Sequence, residues 1–148
     1  MFATAVFGAG TADAGSTRQY CQRIGTDDTL RPIPPELAPQ VNAAFGMRMS
    51  TGLVIQNSVF RCADGSVMVC TFGANLPCGK ADTKRTNEGA KVWCKDHPDS
   101  DFVPAFAAGH DTIYAWACHD GAPQIIRQIG KVDSRGFIAQ FWKRLDPR

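Results

Sequence analysis

Apolar and polar residues alternate in three short runs between His110 and Leu145. The runs are Thr112–Cys118, Gln124–Val132 and Phe137–Arg144, and alternation of this kind marks strands with one buried face. Asp120-Gly121 suits a two-residue hairpin turn, and Ser134-Arg135-Gly136 a three-residue turn with Gly at the left-handed position. The pattern predicts a three-stranded meander. Its first turn pairs Trp116 with Ile125, Tyr114 with Arg127 and Thr112 with Ile129. Its second pairs Asp133 with Phe137 and Ile129 with Phe141. One face then collects Tyr114, Trp116, Cys118, Ile125, Ile129, Phe137 and Phe141, and is the face to be buried. The other carries Ile113, Ala115, Ala117, Gln124, Gln128 and Trp142.

A second hairpin is predicted from Val54–Cys62 and Ser66–Phe72 around Asp64-Gly65. A two-residue turn pairs Phe60 with Val69, Cys62 with Val67 and Val59 with Cys70. Cys62 and Cys70 then point to opposite faces and cannot bond to each other. Both faces are apolar, which places this hairpin centrally. Phe60-Arg61-Cys62-Ala63-Asp64-Gly65 echoes Trp116-Ala117-Cys118-His119-Asp120-Gly121, as two hairpins using one favoured turn would.

Two short helices are expected. Leu37, Val41, Ala44 and Phe45 form a stripe over Pro35–Phe45, with Pro39 in the first turn and Gly46 as the stop. Asn87–His97 follows Thr86 as N-cap and ends at Pro98, with Val92, Trp93 and Cys94 inward. Gly15–Thr29 reads as polar and turn-rich, Arg31–Pro35 as extended and Gly73–Lys84 as a loop. Phe102–Phe106 reads as an edge strand, because Pro104 cannot donate to a ladder. The expected fold class is α+β: one domain over residues 15–148, with an antiparallel sheet of about five strands (hairpin plus meander) and the two helices.

The chain holds six cysteines: Cys21, Cys62, Cys70, Cys78, Cys94 and Cys118. There is no C-x-x-C pair and no histidine at ligand spacing, so a zinc site fits poorly. Three disulfides in an oxidising compartment fit better, and the domain is expected to be disulfide-stapled. Placement on the expected elements favours Cys78–Cys94, Cys62–Cys118 and Cys21–Cys70. Phe2–Ala9 is apolar and Ala12-Asp13-Ala14 has the form of a cleavage site, although no basic residue precedes the run. Residues 1–14 thus read as the remnant of a signal peptide, and the protein as periplasmic or secreted. No stretch approaches the roughly 20 apolar residues of a transmembrane helix.

Sixteen basic and 14 acidic residues give a net charge of +2, without the footprint of a nucleic-acid binder. No Gly-x-Ser-x-Gly, His-Glu-x-x-His or phosphate-binding glycine loop occurs, and neither metal nor cofactor is expected. The pairs His110-Asp111 and His119-Asp120 are separated by roughly 30 Å of extended chain, too far to share one site. His97 is expected to complement the end of its helix. His110 stands at the foot of a strand and is the histidine kept as a site candidate. Trp142, Lys143 and Arg144, with Gln128 and Gln124 on the same face, form a candidate binding surface, since an aromatic flanked by cations suits a partner.

Trp116-Ala117-Cys118 and the Cys-x-Asp-Gly runs at Cys62 and Cys118 resemble the small periplasmic inhibitors of c-type lysozyme. The likeness covers about a third of the chain and implies a compact disulfide-bearing β-barrel. Six cysteines and two helices depart from it, and no inhibitory loop can be carried over. Phe60–Lys84 and Gly109–Leu145 are more similar to a group of small exported bacterial proteins without an assigned activity, which implies a periplasmic location.

The expected function is therefore a non-enzymatic exported domain that binds a protein or an envelope component. Two alternatives stand beside it. An inhibitor of a cell-wall enzyme would need a protruding loop near Asn75–Gly79. A small hydrolase-like enzyme would use His110 and Asp111 in a concave pocket.

Overall fold

The structure, a computed structural model, describes residues 14–72 and 77–145. Nearly all of the expected leader, and Asn75 and Leu76 of the candidate loop, lie outside the described residues.

The fold is α+β, with five helices and six strands among the described residues. In chain order these are α1 (Ala14–Ile24), β1 (Asp27–Pro32), α2 (Ala38–Phe45), α3 (Thr51–Asn57), β2 (Ser58–Ala63) and β3 (Ser66–Thr71). Then come α4 (Glu88–Asp96), α5 (Ala105–Ala108), β4 (Tyr114–His119), β5 (Ala122–Gln128) and β6 (Lys143–Arg144). All strand pairs are antiparallel, but they form two sheets, not one: a four-stranded sheet in the order β1-β2-β3-β6 and a two-stranded β4-β5 hairpin.

The central hairpin has the register its turn dictates: Phe60 opposes Val69, Cys62 opposes Val67 and Val59 opposes Cys70. Asp64 and Gly65 have φ of 50° and 78°, and Asp120 and Gly121 have 49° and 78°, so both hairpins turn on positive-φ pairs. On one face of the four-stranded sheet, Val54, Phe60, Cys62, Val67 and Val69 pack with Leu37 and Val41. On the other, Cys70, Cys78, Phe137 and Trp142 form a second cluster.

Several expectations are corrected. Gly15–Thr29 is not turn-rich; it contains α1 and the start of β1. Thr17 and Cys21 are buried one helical turn apart, so packing overrides the weak propensity of a Ser/Thr/Gln-rich segment. Residues 54–57 belong to α3, capped by the Ser50 hydroxyl accepting from the Leu53 N–H, so the strand begins at Ser58. Phe102–Phe106 is not a strand: α5 starts at Ala105, directly after Pro104. The cap of α4 is Asn87, whose Oδ1 accepts from the Ala90 N–H at 2.8 Å, and Val92 is exposed.

The largest correction concerns the meander. The turn after Val132 forms as expected, with the Asp133 N–H donating to the Phe137 carbonyl at 2.8 Å. The chain then leaves. Ala139–Phe141 makes a 3₁₀ turn, and β6 joins the open edge of β3, pairing Arg144 with Met68 and Lys143 with Val69. Ile129 and Phe141 do not pair as strands. Trp142, inserted beside Phe137 with ring centroids 5.3 Å apart, gains more by burial there than on a half-wet sheet.

Three disulfides form, and none of the three expected pairings is among them: the bonds are Cys21–Cys62, Cys70–Cys78 and Cys94–Cys118. Each ties a strand to its neighbour: α1 to β2, the loop after β3 back to β3, and α4 to β4. Cys62 does face inward, but its partner sits on α1, an element the sequence pattern hid.

Candidate functional site: an apolar groove over the second hairpin

The β4-β5 hairpin is packed on one side by α4. Trp116 and Cys118 meet Ala90, Cys94 and Val103 there. Val103 reaches this cluster because the chain from Ser100 runs beside β4. Its N–H donates to the Trp116 carbonyl at 2.7 Å, and the Cys118 N–H donates to the Ser100 carbonyl at 2.8 Å. β4 is therefore flanked by β5 on one side and by this segment on the other, where the Trp116 carbonyl and the Cys118 N–H are taken.

Over β4 lies a cavity of about 380 Å³. Its floor comes from Thr112, Tyr114, Ala115 and Trp116. One wall is Phe102, Val103, Ala105, Ala108 and His110. The opposite wall is Ile126, Arg127, Ile129, Ile138 and Phe141. Phe102 is 63% exposed and Ile129 50%, so large apolar side chains stand open to water along both walls. Phe106, 77% exposed, meets the Trp93 ring edge-on at 5.4 Å. An apolar surface of this kind usually marks a contact site.

The polar side chains of the lining divide into two groups. Some are already engaged: Thr112 Oγ1 accepts from Trp116 Nε1 at 3.1 Å, and the Tyr114 hydroxyl accepts from Arg85 at 3.4 Å. Gln140 donates to the Ile129 carbonyl and accepts from the Lys131 N–H, both at 3.0 Å. Asp101, His110 and Arg127, by contrast, have side chains without a hydrogen bond or ion pair among the described residues. Asp101 and Arg127 lie on opposite flanks of β4, two strand spacings or about 10 Å apart.

The expected site residues fall in three places. His110 lines this groove. Asp111 beside it is exposed, and its carbonyl accepts from the Asp82 N–H at 2.7 Å. Gln124 and Gln128 are on β5, where Gln128 Nε2 donates to the Gly130 carbonyl at 2.8 Å. Lys143 and Arg144 are exposed on β6, at the edge of the other sheet. Trp142 is only 5% exposed and cannot serve as a surface aromatic. These residues do not converge, and the Trp142-centred surface is not there.

Sequence reasoning missed Phe102, Ile126, Arg127 and Ile129. The signal was the doublet Ile125-Ile126, which gives β5 apolar side chains on both faces. A bulge between Ala115 and Trp116 sets Arg127 opposite Ala115, so that both line the groove, and leaves Tyr114 opposite Gln128. Ile129 is exposed and Ile113 buried, the reverse of the expected faces. At the far end of the hairpin, Asp99, His119 and Asp120 bring their ligating atoms within 4.8 Å of one another, all on exposed side chains. His119 Nε2 lies 3.3 Å from Asp120 Oδ2. No helix among the described residues is long and apolar enough to cross a membrane. No protein-family model, curated protein or solved structure matches the chain.

Proposed function

We propose that this is a non-enzymatic exported domain that binds a protein or an envelope component, with the groove over β4 as its contact site. The observation that carries the reading is the cavity of about 380 Å³ bordered by exposed Phe102, Ile126 and Ile129. That volume lies within the usual span of ligand sites, about 300–1,000 Å³. Export is supported by the pairing of all six cysteines in disulfides, which an oxidising compartment maintains.

The hydrolase-like alternative needs a base oriented by an acid and aimed at a nucleophile. Among the described residues His110 has no such hydrogen bond, while the Thr112 hydroxyl is occupied by Trp116. This supports binding over turnover. The lysozyme-inhibitor alternative depends on a loop that lies partly outside the described residues.

Titration with an uncharged apolar dye such as Nile red tests the reading. Saturable binding to the folded protein is expected, and Ile129→Asp should abolish it without lowering the melting temperature. Absence of dye binding, or ester turnover lost in His110→Ala, would overturn the proposal.

A further inference from the structure

We infer that the groove takes an acyl chain ending in an anionic head, with Arg127 as the contact for the head. The inference rests on the groove being a binding site and adds the class of ligand. Arg127 supplies the charge argument. It lies in the wall opposite Asp101, is exposed, and has no carboxylate partner among the described residues. A guanidinium in that setting is free to take a carboxylate or phosphate through two parallel hydrogen bonds. Apart from Asp101 and His110, the remaining lining is apolar or internally satisfied, which suits a ligand that is mostly hydrocarbon.

The backbone of β4 favours an acyl chain over an extended peptide laid along it. A peptide bound along β4 would need a free strand edge for its amides. On β4, β5 occupies one side, and on the other the Trp116 carbonyl and the Cys118 N–H are taken by Val103 and Ser100. The Ile113 carbonyl is also taken, by the N–H groups of Ile129 and Gly130 at 2.7 and 3.1 Å. A peptide lying along β4 would leave amides without partners, whereas an acyl chain has none to satisfy. The outer edge of β5 is unpaired among the described residues, and a peptide added there is the outcome the octapeptide probe reports. Asp101, on the far flank of β4, disfavours a second negative charge at that end and so orients the head toward Arg127.

The test uses the oxidised full chain and three probes: dodecanoate, dodecanol and an apolar octapeptide with both ends blocked. Binding is followed by tryptophan fluorescence, with Trp116 in the lining as reporter. Dodecanoate is expected to bind about ten-fold or more tightly than dodecanol, the gain typical of a hydrogen-bonded charge contact. In Arg127→Gln the two should bind alike, and Ala115→Leu, which fills the floor, should weaken both. Equal binding of dodecanoate and dodecanol to the unaltered protein would overturn the role of Arg127 and leave the groove standing. Tighter binding of the octapeptide would overturn the acyl-chain assignment. Binding of none of the three would overturn both the inference and the proposed site.

Discussion

Gly89, in the first turn of α4, lies so close to α5 that a β-carbon on it would stand 1.8 Å from the Ala107 carbonyl oxygen. The neighbouring cap residue reinforces this contact. Asn87 Oδ1 caps α4, while its Nδ2 donates to the Ala108 carbonyl at 2.7 Å. The N-terminus of α4 therefore holds α5, and α5 supplies Ala105 and Ala108 to the groove wall.

Gly89→Ala should cost about 1–3 kcal/mol, because the obstructing atom belongs to backbone and no side-chain rotation relieves it. Asn87→Ala should cost about 1–2 kcal/mol, the usual loss for a cap, with the Ala108 carbonyl also released. Urea denaturation measures both. Both variants should also bind Nile red more weakly, since the wall shifts. Unchanged stability in Gly89→Ala would show that α5 is not fixed by this contact.

Arg61 is the one buried charged side chain among the described residues, 2% exposed between the rings of Phe137 and Trp142, 4.1 and 4.5 Å from their centroids. Its Nη2 donates to Asp133 Oδ2 at 2.7 Å. Asp133 Oδ1 meanwhile accepts from the N–H groups of Arg135 and Phe137, holding the turn that sends the chain toward β6. The two partners are thus unequal. Asp133→Ala strands a buried guanidinium and loosens the turn, so it should cost about 3 kcal/mol or more. Arg61→Met keeps an unbranched chain between the rings and leaves a carboxylate that water can reach, so it should cost less. Chemical denaturation of both variants at neutral pH checks the order.

What could be read from the sequence follows how local each signal is. The two Asp-Gly turns set their own backbone angles, and the register of β2 with β3 followed directly. Pro39, Gly46 and the Leu37–Val41 stripe delimited α2 for the same reason. The one-residue bulge at Ala115 is a tertiary event, invisible in an alternating pattern. It shifted the far end of β4 against β5 and brought Arg127 into the groove. The cysteine pairing failed because Cys21 sits on a helix of low overall hydrophobicity, which reads as a polar loop. The third strand failed because the open edge of β3 lies far along the chain from Lys143.

Acid should weaken the fold through β1. Arg135 is the chief cause, and Lys80 the next, holding the Asp28 carboxyl below its ordinary value; their nitrogens lie 2.9 Å from Asp28 Oδ2. Arg31, followed by the Thr29 N–H, holds Asp27 far below that range. A carboxyl depressed in the folded state contributes stability that is complete above its unfolded value, about 3.9, and is lost as pH falls through the folded value. Stability should therefore begin to fall below about pH 4. Asp28→Asn should be less stable than the unaltered chain at pH 7, by under about 1 kcal/mol for a solvent-screened network. The gap should narrow at a lower pH, as Asp28 in the unaltered chain takes up its proton too. Guanidinium denaturation at both pH values reads this, and a gap that widens in acid would contradict the sign.

The three disulfides should differ in what they contribute. Cys21–Cys62 spans 41 residues, Cys94–Cys118 spans 24 and Cys70–Cys78 spans only 8. Loop-closure entropy in the unfolded chain assigns about 4 kcal/mol to the longest and about 2.5 to the shortest. Local packing pushes in the same direction. Cys21–Cys62 anchors α1, which at 11 residues is too short to be stable by itself, against the main core. Removing it should release α1 as well as the loop. Paired alanine substitutions, measured by thermal unfolding without reductant, should rank the loss in the order Cys21/Cys62, Cys94/Cys118, Cys70/Cys78. The Cys94/Cys118 pair should have one further effect, because it joins α4 to β4 beneath the groove. Nile red binding should weaken in that variant and hold in the Cys70/Cys78 variant, which lies on the other sheet.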